Sequence, residues 1–66
     1  MMGADFDNPS VIRTVLTSEG RKGYRVEVRR GRDVLLSVHP KLVKSFSKAF
    51  EIGDQMQTEA RKAFAI

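Results

Sequence analysis

The chain has 66 residues, with 12 Lys and Arg against 8 Asp and Glu, one histidine and no cysteine, and its net charge is +4. This composition excludes a disulfide framework and a zinc cluster, and the length allows one small domain, for which we expect a homodimer. The first residues have neither the basic start nor the apolar run of a signal peptide. No stretch contains about 18 consecutive apolar residues, the length that a membrane span needs. We therefore expect a cytoplasmic, intracellular protein that does not enter a membrane.

The positive charge is concentrated in the middle of the chain. Residues 1–10 carry −2, residues 11–48 carry +7 from ten Lys or Arg against three acids, and residues 49–66 carry −1. Such an uneven distribution favours a polyanionic partner. The simpler alternative is that these side chains only solvate a small surface.

The first elements follow from composition. Residues 1–9 are polar, end in an Asn-Pro turn signal, and predict a flexible acidic tail before a single domain of residues 10–66. Residues 10–17 are almost all β-branched or apolar, which predicts a first strand. Residues 18–23 hold two glycines and two adjacent cations, and they predict a loop.

A basic β-hairpin is predicted next. Residues 24–30 alternate apolar and charged side chains, and residues 33–38 have the composition of a third strand. Directly opposed residues share a face, so the apolar sides of the two strands coincide only across a loop with an odd number of residues. We therefore predict a three-residue loop, Arg30-Gly31-Arg32, with Val28 opposite Val34.

The same parity pairs the first strand with the second. It places Leu16 opposite Tyr24 across a connection of residues 17–23 and gives an up-down-up meander. The predicted inner face is apolar: Ile12, Leu16, Tyr24, Val26, Val28, Val34, Leu36 and Val38. The predicted outer face mixes charged and apolar side chains: Arg13, Arg25, Glu27, Arg29, Val11, Val15 and Leu35.

A C-terminal helix is predicted after His39. Pro40 suits a first helical position, where its missing N–H is no loss. Apolar residues from Leu42 to Phe64 recur at intervals of four and three, as in an amphipathic helix that covers the sheet. About 24 helical residues would span about 36 Å, against about 20 Å for the sheet. Either the helix breaks at Gly53, or its second half packs on another subunit; the predicted fold is α+β, in the order β-β-β-α.

No catalytic constellation is recognisable. His39 has no partners that would make it a catalytic base, and its position suits a polar residue between strand and helix. The helix acids Glu51, Asp54 and Glu59 lie among basic residues, where surface ion pairs explain them. We expect neither an enzyme nor a bound cofactor or metal.

The basic residues indicate nucleic-acid binding. Most cations of the middle region are arginine, whose planar fork suits phosphate oxygens and guanine edges. The candidate binding residues lie on the outer face, at the hairpin tip and in the first loop: Arg13, Arg21, Lys22, Arg25, Arg29, Arg30 and Arg32. Because Tyr24, Phe46, Phe50 and Phe64 fall on predicted core positions, stacking of single-stranded bases is disfavoured and duplex DNA is favoured.

A three-stranded sheet backed by one helix, with arginines on its outer face, resembles the architecture of plant ethylene-response DNA-binding domains and of integrase arm-binding domains. The resemblance is one of predicted topology, and it implies a sheet that lies in the major groove. We expect a small regulatory or architectural DNA-binding protein. The alternative is an interaction module or inhibitor that binds an acidic partner protein, since Val11, Val15 and Leu35 add apolar area to the outer face.

Overall fold

The computed structural model describes residues 11–64, in which three antiparallel strands are followed by one helix. The elements are β1 Ile12–Ser18, β2 Tyr24–Arg30, β3 Val34–Val38 and α1 Phe46–Phe64. The strands lie in the order β1-β2-β3, which confirms the predicted β-β-β-α fold. The predicted acidic tail, residues 1–9, lies outside the described residues.

The pairing of β1 with β2 has the predicted faces but a register shifted by two residues. Leu16 lies opposite Val26 rather than opposite Tyr24. The shift arises because the connection is tighter than expected: Gly20–Lys22 forms a turn of 3-10 helix, and Gly23 follows it with φ of 118°. An even shift leaves each side chain on its original face, so the predicted facing of β1 and β2 is confirmed.

The β2–β3 hairpin closes through a three-residue loop, as predicted, but the loop is displaced by one residue. Arg30 pairs with Val34 and belongs to β2, so the loop consists of residues 31–33 rather than residues 30–32. Gly31 has φ of 64°, a left-handed conformation that glycine adopts without steric cost. The position of this glycine therefore fixes where the hairpin turns.

A β-bulge changes the facing of the last part of β3. Leu36 and Ser37 together oppose Val28, so β3 contains one extra residue at this point. Beyond the bulge, Val38 lies opposite Glu27 on the outer face and is 46% exposed. The prediction that Val38 lies on the inner face is wrong, because the extra residue reverses the alternation of the strand.

The helix α1 begins at Phe46 rather than at Pro40, so the predicted helix start is wrong. Between β3 and α1 the chain runs beside the start of β2. The Tyr24 N–H donates to the Val43 carbonyl oxygen at 2.8 Å, and the Val43 N–H donates to the Tyr24 carbonyl oxygen at 3.0 Å. This bridge delays the helix until Ser45, whose hydroxyl accepts a hydrogen bond from the third helical N–H at 3.3 Å.

The helix is continuous through Gly53, so the alternative of a break at this residue is wrong. A Cβ atom at Gly53 would collide with Cγ2 of Thr14 and lie 3.4 Å from Cγ1 of Val26. The Thr14 hydroxyl donates to the Gly53 carbonyl oxygen at 2.9 Å, with Oε1 of Gln57 as a second acceptor at 2.8 Å. Gly53 therefore marks the closest approach of α1 to the sheet.

The core lies where α1 packs on β1 and β2. The buried hydrophobic residues are small or medium in size: Ile12, Val26, Val28, Ala49 and Ala60. Leu36 and Met56 pack against this core while remaining partly exposed. Several large apolar side chains are 39% to 62% exposed: Val34, Leu35, Val38, Leu42, Phe46, Phe50 and Phe64. The predicted burial of Val34 is wrong, because α1 packs on β1 and β2 and leaves this end of β3 exposed.

Candidate nucleic-acid interface

The outer face of the sheet is the face opposite α1. The central strand β2 directs Arg25, Glu27 and Arg29 to this face, as predicted, and β1 adds Arg13 directly opposite Arg29. Like charges directly opposite each other destabilise a sheet. The pairing of Arg13 with Arg29 therefore brings two positive charges together at a cost to the stability of the sheet.

Glu27 connects the arginines of β2. The Nε of Arg29 donates to Oε1 of Glu27 at 3.0 Å, and Nη1 of Arg25 lies 4.0 Å from Oε2 of Glu27. Arg25 also donates through Nη2 to Oε2 of Glu19 at 2.6 Å. The Glu27 side chain is only 11% exposed, so water screens these ion pairs less than it screens surface pairs. Two carboxylates thus offset part of the positive charge that we predicted for this face.

The guanidinium groups of Arg13 and Arg29 are held beside the hairpin loop. The Nε of Arg13 donates to the Gly31 carbonyl oxygen at 3.2 Å, and Nη1 of Arg29 donates to the Asp33 carbonyl oxygen at 3.3 Å. Arg30 precedes the loop and Arg32 lies within it. Four arginines therefore lie in or beside the loop, with Arg13 and Arg29 on the outer face and Arg30 on the inner face. We call them the tip cluster: Arg13, Arg29, Arg30 and Arg32.

The carboxyl-terminal end of α1 lies near the tip cluster. Nη2 of Arg61 donates to the Ile12 carbonyl oxygen at 3.2 Å, and the Gly31 N–H donates to the Val11 carbonyl oxygen at 2.7 Å. Lys62 follows Arg61 in the last helical turn, where the helix dipole favours cations. The strand β1, the β2–β3 hairpin and the end of α1 therefore all bring positive charge to one end of the molecule.

Arg21 and Lys22 lie at the opposite end of the sheet. Both are exposed, in the 3-10 turn that precedes β2. The length of β2, about 20 Å, separates them from the hairpin loop. The predicted binding set thus divides into the tip cluster, Arg25 in its ion pairs with two glutamates, and this separate pair.

The exposure of the phenylalanines was missed by sequence reasoning. Phe46 and Phe50 are 55% and 62% exposed, whereas Ala49, Gly53 and Ala60 face the sheet. The helix approaches the sheet along these three small residues, so its large side chains point to the flanks. Small residues spaced by four and seven positions were the available signal. The predicted core positions of the phenylalanines are wrong. Burial of the aromatic rings was the reason for disfavouring single-stranded ligands, and this reason no longer applies.

The described residues define a small α+β domain with an arginine-rich hairpin tip. Comparisons with protein-family models, curated proteins and solved structures gave no match. Within residues 11–64, no group of three or more His, Cys, Asp or Glu is placed to hold a metal ion. No helix in this part of the chain is long and apolar enough to cross a membrane.

Replacement of Glu27 with glutamine is expected to lower the free energy of unfolding by about 1–3 kcal/mol, because Arg25 and Arg29 would lose the carboxylate between them. Thermal unfolding followed by circular dichroism measures this change. The control is Glu51→Gln, since the Glu51 side chain is 75% exposed and its pair with Lys48 spans 3.8 Å. Exposed pairs of this kind contribute little. Equal losses in the two variants would contradict a structural role for Glu27.

Proposed function

We propose that this protein binds nucleic acid, with duplex DNA as the favoured ligand, through the tip cluster. The observation that carries the proposal is the position of four arginines in or beside one hairpin loop, where the directly opposed pair Arg13 and Arg29 bonds to loop carbonyl groups. Guanidinium forks bind phosphate oxygens and guanine edges in bidentate geometry. The proposal places the protein in the cytoplasm, in a regulatory or architectural role.

The arrangement of the strands supports a duplex ligand. β1 pairs with β2 as far as Arg30, so the arginines are carried by a three-stranded sheet, the architecture that we expect to lie in the major groove. The loop carbonyl groups that accept hydrogen bonds from Arg13 and Arg29 also restrict the rotamers of these side chains. Restriction before binding reduces the conformational entropy that is lost in the complex. The tip cluster is therefore arranged in advance for phosphate contacts.

Fluorescence anisotropy with a labelled DNA duplex, measured over a series of salt concentrations, tests the proposal. Four or five phosphate contacts predict that log affinity falls against log salt with a slope of about −3.6 to −4.5. A single-stranded oligonucleotide of equal length tests the ligand class and should bind more weakly. Absence of binding at low ionic strength, or binding that does not respond to salt, would contradict the proposal.

Paired variants locate the interface. Arg30→Ala combined with Arg32→Ala removes two cations of the tip cluster, and it should weaken duplex binding and flatten the salt slope by about 2. Arg21→Ala combined with Lys22→Ala removes the same charge from the other end of the sheet, and it should change affinity less. Equal losses from both pairs would show that net charge, rather than the tip cluster, governs binding.

A second candidate function is recognition of an acidic partner protein through the outer face. The β-bulge favours it, because Val38 joins Val15 and Leu35 on this face, and both Val38 and Leu35 are almost half exposed. A protein interface uses such apolar area, whereas phosphate contacts do not require it. Val15→Thr combined with Leu35→Thr should leave duplex affinity nearly unchanged if the first proposal is correct.

A further inference from the structure

We infer that two copies of this chain associate along the free edge of β3 and join their sheets across a two-fold axis. The strand order leaves β3 at one edge of the sheet. The inference goes beyond nucleic-acid binding and does not depend on it. It assigns the expected homodimer to a particular surface.

The strand β3 has the properties of an edge that pairs. Val34–Val38 contains no charged residue and no proline, in a chain of which 30% of the residues are charged. Monomeric proteins protect edge strands with charges, with proline, with β-bulges, with short length or with a covering element. β3 is short and contains the bulge at Leu36, but it has neither charge nor proline. Among the described elements, α1 lies over β1 and β2 rather than over β3. The outward N–H and C=O groups of β3 are therefore placed to bond another strand.

The apolar surface continues from β3 to α1. Four side chains in this region are 45% to 49% exposed: Val34, Leu35, Val38 and Phe64. An open groove of about 400 Å³ separates β3 from the second half of α1, with Leu36, Met56 and Phe64 in its lining. Val34 and Phe64 lie on the side of the sheet that carries α1, whereas Leu35 and Val38 lie on the outer face. The edge of β3 is therefore flanked by exposed apolar side chains on both faces, and such apolar area marks an interaction surface.

The opposite edge of the sheet does not have these properties. The strand β1 carries Arg13 and several hydroxyl side chains, and its Thr14 is bonded to α1. Charged and polar residues discourage the pairing of edge strands. The β1 edge is polar and charged, whereas the β3 edge is neutral and mostly apolar. This difference would direct association to β3.

A second copy of this chain fits the β3 surface because the strand is neutral. Each chain carries a net charge of +4, yet two β3 strands can meet without placing like charges opposite each other. Antiparallel pairing of a strand with its own copy gives an isologous interface, in which every contact occurs twice. Both helices would then lie on the same side of a six-stranded sheet.

The groove supplies the area that strand pairing lacks. A five-residue edge is about 17 Å long, and its pairing alone buries less than the about 800 Å² per partner of a standard interface. The two-fold axis brings the grooves of both copies together, so that Met56 and Phe64 are covered. Since Val26 and Val28 are the largest fully buried side chains of the described chain, this added core matters for stability.

Sedimentation velocity on the full chain, over a series of concentrations and without DNA, tests the inference. We expect a reversible dimer. Leu35→Lys places a charge on the exposed side of β3, away from the core, and should raise the dissociation constant by more than about tenfold. Thr17→Lys adds the same charge to the outer face at the β1 edge and should leave the dimer intact. Circular dichroism confirms that both variants fold.

Three outcomes would overturn the inference. The chain could sediment as a monomer at every concentration, or it could form a dimer that Thr17→Lys dissociates and Leu35→Lys does not. A monomer that dimerises only after removal of residues 1–10 would assign the β3 surface to the amino-terminal segment. Hydrogen exchange gives an independent readout, because β3 amides should be protected in the wild-type dimer and exchange faster in Leu35→Lys.

The sedimentation experiment also separates this inference from the proposed function. Arg30→Ala combined with Arg32→Ala should still form the dimer, because neither side chain belongs to the β3 surface. Conversely, Leu35→Lys retains the tip cluster and should still bind duplex DNA with a salt-dependent affinity. Dimer formation and duplex binding can therefore be lost separately, each in its own variant.

Discussion

Replacement of Val26 with alanine is expected to lower the free energy of unfolding by about 2–3 kcal/mol. Val26 is fully buried, lies opposite Leu16 on β1, and approaches Gly53 of α1. The substitution removes two methyl groups, each contributing about 0.8 kcal/mol, and leaves a cavity between sheet and helix. A chain of this length has a total stability of about 3–10 kcal/mol, so the loss is a large part of it. Urea unfolding measures the change, and the thermal midpoint should fall by about 10–20 °C.

The control for this prediction is Leu42→Ala. Leu42 is 39% exposed and precedes α1, and its truncation removes one more carbon atom than the truncation of Val26. Because the side chain already contacts water, we expect a loss well below that of Val26→Ala. A loss at Leu42 that matches the loss at Val26 would mean that the main core does not lie between β1, β2 and α1.

The alternation of β2 was sufficient to predict the faces of two strands. Side chains on a strand alternate with a period of two, so any even error in register leaves every residue on its correct face. The register of β1 is shifted by two residues, and Ile12 and Val28 are nevertheless buried as predicted. Alternation could not reveal the bulge at Leu36, because one inserted residue changes the facing without changing the composition of β3.

The start of the helix depended on a contact between distant parts of the chain. Pro40 and the apolar spacing after it are compatible with a helix, but the bridge between Tyr24 and Val43 holds this segment against β2. The helix face was also incompletely predicted. Periodicity located the stripe, whereas the small residues within it, such as Ala49 and Gly53, determine that the larger side chains lie outside the contact.

The candidate site shows how a register decides the charge pattern. In the predicted register Arg13 lies opposite Glu27, and the carboxylate would neutralise the charge of Arg13. In the structure the turn at Gly20–Lys22 shortens the first connection, and Arg13 lies opposite Arg29 instead. The sequence placed Arg30 at the hairpin tip, but the meeting of β1 and β2 arginines beside the loop required the observed register. The tip cluster is thus a consequence of loop length.

Substitution of Gly53 by alanine is expected to lower the free energy of unfolding by about 1–3 kcal/mol, the usual effect of overpacking. In an exposed helix interior the same change stabilises by about 1 kcal/mol, because alanine has the higher helix propensity. Here the new Cβ would collide with Cγ2 of Thr14. Thr14 cannot turn away without losing its hydrogen bond to the Gly53 carbonyl oxygen. Denaturant unfolding therefore tests the sign of the effect as well as its size.

A second substitution isolates the collision. Thr14→Ser removes Cγ2 and retains the hydroxyl group that donates to Gly53, so in the Gly53→Ala background it should restore most of the lost stability. On its own, Thr14→Ser should be slightly destabilising, since it deletes one partly buried methyl group. The double-mutant cycle then gives a favourable coupling between the two substitutions. If Gly53→Ala were as stable as the wild type, or if Thr14→Ser gave no rescue, the close approach of α1 to β1 would be contradicted. The rescue also distinguishes steric collision from a change in helix propensity, because propensity at Gly53 does not depend on the side chain at Thr14.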